Sequence, residues 1–231
     1  MRLLMSAAAV LIAPVWIHAQ TPCTIQQGAA YGDHVWLLCQ SRQVFVSPDR
    51  GANWESRTLP GDAQFRALAL LDERRALVAG DRGTLLATDD GGRSWRTVPL
   101  PTTNDLNAIH FVGELGWLAG ASGTILHSPD GGKSWVTQTS GVPLGIDGIY
   151  FADPTHGWAV GWVGMILRTT DGGRTWERVK ATGTSWSLSS VYFRDLNTGW
   201  AVGFNGQILR SVDGGRSWEV QPSPTQAWLT S

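Results

Sequence analysis

The phrase TTDGGRTW at residues 169–176 returns, slightly altered, as SPDRGANW (47–54), TDDGGRSW (88–95), SPDGGKSW (128–135) and SVDGGRSW (211–218). The tryptophans that close the five phrases, Trp54, Trp95, Trp135, Trp176 and Trp218, stand 41, 40, 41 and 42 residues apart. An interval that regular marks a structural unit copied along the chain before it marks a site. It rules out any fold in which the five stretches play unrelated parts.

Other landmarks keep the same period. Ahead of each phrase lies a segment of the Gly-Trp type: VWLLC (35–39), ALVAG (76–80), GWLAG (116–120), GWAVG (157–161) and GWAVG (199–203). Earlier still come LNAIHFV (106–112), IDGIYFA (146–152) and LSSVYFR (188–194), and TLLAT, TILHS, MILRT and QILRS fill the gap before the phrase. Each unit thus offers four short β-favouring runs punctuated by Gly, Asn and Asp, and none shows a helical stripe. Four antiparallel strands repeated about every 41 residues form a propeller blade. The predicted fold is all-β, a β-propeller of about five four-stranded blades spanning roughly 22–59, 60–100, 101–141, 142–183 and 184–222. Residues 223–231 form a tail resembling the start of a sixth repeat, since Trp186 and Trp228 are one period apart.

Within a blade the recurrent phrase becomes the hairpin between the third and fourth strands. Asp49, Asp90, Asp130, Asp171 and Asp213 are expected to accept N–H groups of the turn ahead of them, and the following glycines to supply backbone angles closed to other residues. The five tryptophans begin the outer strands and lie against the sheet. A calcium loop is excluded by ligand count, because one carboxylate per phrase falls well short of the six to eight oxygens needed.

Met1 to Ala19 has a basic start, an apolar run from Leu3 to Ile17 and a small residue before Gln20, the layout of a secretory signal peptide cleaved after Ala19. The chain is therefore expected in the periplasm or outside the cell, with no direct membrane insertion once the leader is gone. Loss of Arg2 takes the formal charge from −1 to −2 without creating a charge run, which gives no case for nucleic acid. Cys23 and Cys39 are the whole cysteine complement. An isolated pair in an exported chain tends to be a disulfide, provided that the fold turns the two side chains toward each other. The histidines left after the leader, His34, His110, His127 and His156, show no ligand spacing, so no metal or other cofactor is expected.

The pattern Ser/Thr-x-Asp-x-Gly-x-Thr/Ser-Trp is similar to the Asp-box, or BNR repeat. The longer phrases GWAVGWVGMILRTTDGGRTWERV (157–179) and GWAVGFNGQILRSVDGGRSWEV (199–220) resemble the repeat of the photosystem II stability/assembly factor family. The resemblance implies a propeller that acts without catalysis as a chaperone of assembly, with a protein partner such as a membrane-protein assembly intermediate. Photosynthetic members of that family have seven blades, against five boxes here, and the first repeat departs from the pattern with Arg50 and Cys39 in glycine places.

Asp-box propellers also include sialidases, which makes a glycan-binding or glycan-cleaving protein the rival reading. That chemistry needs an arginine cluster and a Tyr nucleophile with a Glu partner. The chain has Tyr31, Tyr150 and Tyr192, the last two at one repeat position, and only FRAL (65–68) approaches the arginine motif. A glycosidase needs two carboxylates facing one cavity, and Asp105 and Asp147 are the one pair to nominate; no catalytic residue is assigned. What remains is a surface. The turns between second and third strands share a face with the loops leading into first strands, which places Trp162, Phe204, Asn205, Trp186, Arg82 and Arg42 together as candidate binding residues. Repeat architecture does not demand aromatics at 162 and 204, and exposed aromatics and arginines on a rigid face are what interface anchors use.

Overall fold

The computed structural model describes residues 23–179, 181 and 185–230, so the leader expected at 1–19 lies outside the described residues. Among the described residues, twenty strands form five separate four-stranded antiparallel sheets. The first holds β1 (Ile25–Tyr31), β2 (His34–Cys39), β3 (Gln43–Ser47) and β4 (Glu55–Thr58), and the second β5 (Phe65–Leu70), β6 (Ala76–Gly80), β7 (Leu85–Thr88) and β8 (Arg96–Thr97). The third holds β9 (Leu106–Val112), β10 (Leu115–Gly120), β11 (Thr124–Ser128) and β12 (Val136–Thr139). The fourth holds β13 (Ile146–Phe151), β14 (Gly157–Gly161), β15 (Met165–Thr169) and β16 (Glu177–Val179). The fifth is β17 (Leu188–Phe193), β18 (Gly199–Gly203), β19 (Ile208–Ser211) and β20 (Glu219–Val220). Neighbours in each sheet are neighbours in sequence, as expected of blades.

The first strands of successive blades lie side by side, β1 against β5, β5 against β9, β9 against β13 and β13 against β17. Among the described residues no comparable packing joins β17 back to β1. The core is accordingly a series of joints. Trp36, Leu38 and Val44 of blade one meet Phe65, Leu68 and Val78 of blade two. Leu77, Leu85 and Val98 meet Leu106, Ile109 and Leu118. Trp117, Ala119 and Ile125 meet Ile146, Ile149 and Phe151. Trp158, Val160 and Ile166 meet Leu188, Val191 and Phe193. The three inner sheets are apolar on both faces because each face has a neighbour, and water is excluded from both.

The aromatic joints are the most sharply built. Trp117 stacks on Phe151 with centroids 3.6 Å apart, and Trp158 on Phe193 at 3.5 Å. The box tryptophan of the later blade meets the same Phe edge-on, Trp176 on Phe151 and Trp218 on Phe193. The box tryptophans do lie against their sheets, and they also brace the ring that fills the joint. Both indole N–H groups of the stacked pairs cross the joint, Trp117 donating to the Gly172 carbonyl at 3.1 Å and Trp158 to that of Gly214 at 3.0 Å. An indole can be fully buried this way because its one polar atom has a partner.

The boxes behave as scaffold. In all five, the hydroxyl two residues before the Asp donates to Asp Oδ1 at 2.8–2.9 Å. That hydroxyl oxygen in turn accepts the N–H of the residue four positions on, Gly173 in the fourth box. Asp Oδ1 also accepts the backbone N–H four residues ahead, from Asn53, Ser94, Ser134, Thr175 and Ser217. The Ser134 hydroxyl, with these N–H groups, holds Asp130 down at about 2. Gly172 and Gly173 have φ of 78° and 85°, the left-handed angles that glycine takes without a Cβ clash. Asn205 and Gly206 have φ of 57° and 68° in a single 3-10 turn, Phe204–Gly206. Cys23 and Cys39 are joined as a disulfide with Cα atoms 5.7 Å apart, tying the segment before β1 to the end of β2.

Candidate binding face

Innermost strands carry one irregularity each at the same place. The pairing register shifts between Ile25 and Gln27, Phe65 and Ala67, Ile146 and Gly148, and Leu188 and Ser190, and between Ala119 and Gly120 opposite Ala108 and Leu106. The extra residues are Gln26, Arg66, Asn107, Asp147 and Ser189, a polar set inside apolar strands. A bulge re-aims its side chain and ends regular pairing, so these residues leave the sheet plane at the end of the blade where the second-to-third-strand turns lie. Asp81 and Phe204 of those turns donate backbone N–H groups to the carbonyls of Gln64 and Ser187 just before the bulges.

The polar set links blade to blade. Asn107 donates to the Ile146 carbonyl at 3.1 Å and to Asp147 at 2.9 Å. Arg66 pairs with Asp81 and lies 3.6 Å from Asp105. Burial raises the Asp147 carboxyl above its ordinary value, against the pull of its hydrogen bonds from Asn107 and the Trp162 side chain. Asp147 is therefore a bonded, half-buried acid. Asp105 belongs to a different network, accepting the Arg82 N–H at 2.8 Å. Among the described residues, no group of three or more His, Cys, Asp or Glu could hold a metal ion.

Beside this polar line the turns of blades four and five carry aromatic rings. Trp162 is 56% exposed, and its ring rests over Gly145 of its own blade. Trp186 and Phe204 are also exposed, with centroids 5.6 Å apart. Trp228 extends the row, 6.2 Å from Phe204 and 64% exposed, its indole N–H bonded to Ser189 at 2.9 Å. The rings of 186, 204 and 228 form one ridge, with Trp162 and exposed Val163 on the adjoining blade. Asn205, next in the turn after Phe204, is half-buried.

Arg42 and Arg82 share the turn positions but not the ridge. They stand on blades one and two, where Arg42 donates to the Gly61 carbonyl and Arg82 pairs with Asp62 at 2.7 Å. The repeat carries them round the molecule with their blades, so the aromatic and basic candidates are not brought together. Sequence reasoning missed Arg66, Asn107, Ser189 and Trp228 as members of this face. A signal existed: Arg66, Asn107, Asp147 and Ser189 are polar residues at the second place of FRAL, LNAI, IDGI and LSSV, spaced 41, 40 and 42 residues apart.

The family described as photosynthesis system II assembly factor YCF48 matches residues 24–100, 50–147 and 137–226 in overlapping stretches. The chain belongs to this family. The photosystem II assembly lipoprotein Ycf48 of Synechococcus sp. (strain CC9902) is 31% identical over 72 residues, which is 30% of this chain and 22% of that protein. The aligned part thus spans about a fifth of the curated relative. Among solved structures, YCF48 from Cyanidioschyzon merolae matches with a TM-score of 0.72 at 20% identity, over 88% of this chain and 74% of its own. A YCF48 bound to a D1 peptide matches at 0.50 and 20% identity, over 86% and 80%. The Niastella koreensis GH74 enzyme matches at 0.73 and 13% identity, over 86% and 38%, a likeness of fold alone.

Proposed function

We propose that this YCF48-family protein is an exported, non-catalytic assembly or stability factor that holds a protein partner on the aromatic ridge of its fourth and fifth blades. The single observation that carries the reading is the exposed run of Trp162, Trp186, Phe204 and Trp228 on one face of a rigid scaffold. Trp, Phe and Tyr rings bury large area for little lost rotamer freedom, and these are already held by Asp147, by Ser189 and by one another. A relative solved with a D1 peptide makes a polypeptide, from a membrane-protein assembly intermediate, the class of partner to expect. The apolar leader at residues 3–17 and the disulfide both suit an oxidising compartment outside the cytoplasm.

The test uses the mature chain as bait in an extract of the host's membranes. Wild type is expected to retain a defined protein, and Trp162→Ala with Phe204→Ala to lose it at least tenfold while circular dichroism stays unchanged. Equal retention by the double variant would remove the ridge from the reading. Turnover of xyloglucan or a fluorogenic glycoside by the mature chain would overturn the non-catalytic part.

A further inference from the structure

In blades two and four the bulge residue of the innermost strand touches the first residue of its own blade's turn, 15 positions on. Arg66 pairs with Asp81, and Asp147 accepts a hydrogen bond from the Trp162 side chain. The indole Nε1–H is the one polar group that side chain has, so it is the donor. Trp228, elsewhere on the ridge, donates to a neutral hydroxyl, that of Ser189 at 2.9 Å. Trp162 is tied instead to a group that can change its charge.

A second feature completes the seat. The carbonyls of Gln64, Asp105, Gly145 and Ser187 accept the N–H of Asp81, Ala121, Trp162 and Phe204 at one repeat position. Of these four residues, glycine stands only beneath Trp162. A Cβ on Gly145 would come within 3.0 Å of Cε2 and 3.1 Å of Nε1 of the Trp162 ring. The missing methyl lets the ring lie down with its N–H toward Asp147, while 56% of the residue stays exposed.

The neighbours of Asp147 fix what a proton on it would do. From β9, Asn107 donates to the carboxylate at 2.9 Å and to the Ile146 carbonyl at 3.1 Å. On the other side, β17 brings Ser189 and Ser190 past Gly148, and neither carries a charge. Arg66 of β5 is the charged group whose field reaches Asp147, and it favours the ionised form. Burial works against it and raises the carboxyl above the ordinary carboxylate range. An ionised carboxylate accepts from both N–H donors, and such charge-assisted bonds are strong. A protonated one carries a donor of its own among two donors, so one bond must open. Asn107 is half-buried and pinned by a second acceptor, whereas the exposed Trp162 N–H can turn to water.

We propose that Asp147 is the positioning residue of the ridge: its ionised carboxylate, above the gap left by Gly145, holds the Trp162 ring for the partner, and a proton on it releases ring and partner together. The partner half rests on the ridge reading given above; the seat does not, and is tested without a partner. Indole N–H resonances of the mature chain, labelled with 15N-tryptophan, are followed as pH falls from 7.5 to 4.5, with Trp162 identified by its loss in Trp162→Phe. The Trp162 resonance is expected to move in one step, at a pH above the ordinary carboxylate range. Those of Trp158 and Trp228, whose acceptors are the Gly214 carbonyl and the Ser189 hydroxyl, should stay in place. Asp147→Asn should abolish the step, and Gly145→Ala, which lifts the ring, should shrink it. If Asp147→Asn does not fold by circular dichroism, Gly145→Ala carries the test. Retention of the protein captured from host membranes should fall through the same step, and about fivefold at pH 7.5 in Asp147→Asn, the loss of a hydrogen bond to a charged group. A Trp162 resonance that does not move, or a step that survives Asp147→Asn, overturns the proposal. So does a retention that Asp147→Asn leaves intact while Trp162→Ala with Phe204→Ala loses it. If neither variant alters retention but the step is present, the ridge reading fails and takes the partner half with it, and the seat stands.

Discussion

Val163 shows what the repeat imposes on single residues. Arg42, Arg82, Ser122, Val163 and Asn205 occupy one place in five turns and all have φ between 55° and 59°. Asn tolerates that left-handed angle, whereas a β-branched side chain crowds the backbone there. Val163 is 60% exposed, so packing returns little of the cost. Such a residue is strained by about 1–3 kcal/mol. Val163→Asn should raise stability by about 1 kcal/mol in urea denaturation, with no change to the turn, since Asn205 already closes the same turn one blade on. An unchanged or lower midpoint would mean that Val163 is held by contacts its exposure does not reveal.

At the scale of elements the joints decide behaviour, and one of them is sensitive to acid. His110 of β9 is enclosed between blades three and four, and its Nε2–H donates to the Phe151 carbonyl at 3.0 Å. Burial pushes it down to about 4, with the Phe151 bond opposing. The folded pKa lies below the unfolded one, about 6.5. The unfolded chain thus takes up the proton first, and stability present above pH 6.5 is lost as pH falls toward 4. His127, lowered by burial and then by Arg174, works in the same direction. Tm should drop between pH 7.5 and pH 5, and His110→Gln should remove a clear part of that drop. A drop of the same size in the variant would assign it elsewhere.

Across the whole molecule the array is held chiefly by neighbours, since no packing comparable to the four joints links β17 to β1 among the described residues. The first blade, with a blade on one side only, carries the disulfide. Closing a loop of about 15 residues restricts the unfolded chain by roughly 3 kcal/mol. Reduction with a mild thiol should lower the unfolding free energy by about that amount and move the midpoint down with it, and Cys23→Ser with Cys39→Ser should match the reduced protein. If reduction leaves the midpoint in place, the bond contributes nothing to the fold.

The blade count, the strand order and the scaffold role of the boxes were legible from the sequence because they rest on local chemistry copied at a fixed interval. A Ser or Thr, an Asp and two glycines make the same turn wherever they occur, and a change of period would have been visible. The candidate face was legible only in part. Turn positions told which residues share an end of the molecule, but Trp162 and Arg82 sit on different blades, and their separation depends on the angle between sheets. Trp228 joins the ridge because the chain folds back over Ser189, a contact 39 residues apart. The half-buried state of Trp200 is likewise invisible in one repeat, where it looks the same as the buried Trp158. Local turns and strands are decided by neighbours in sequence; exposure is decided by what the next sheet covers, and only the assembled array shows that.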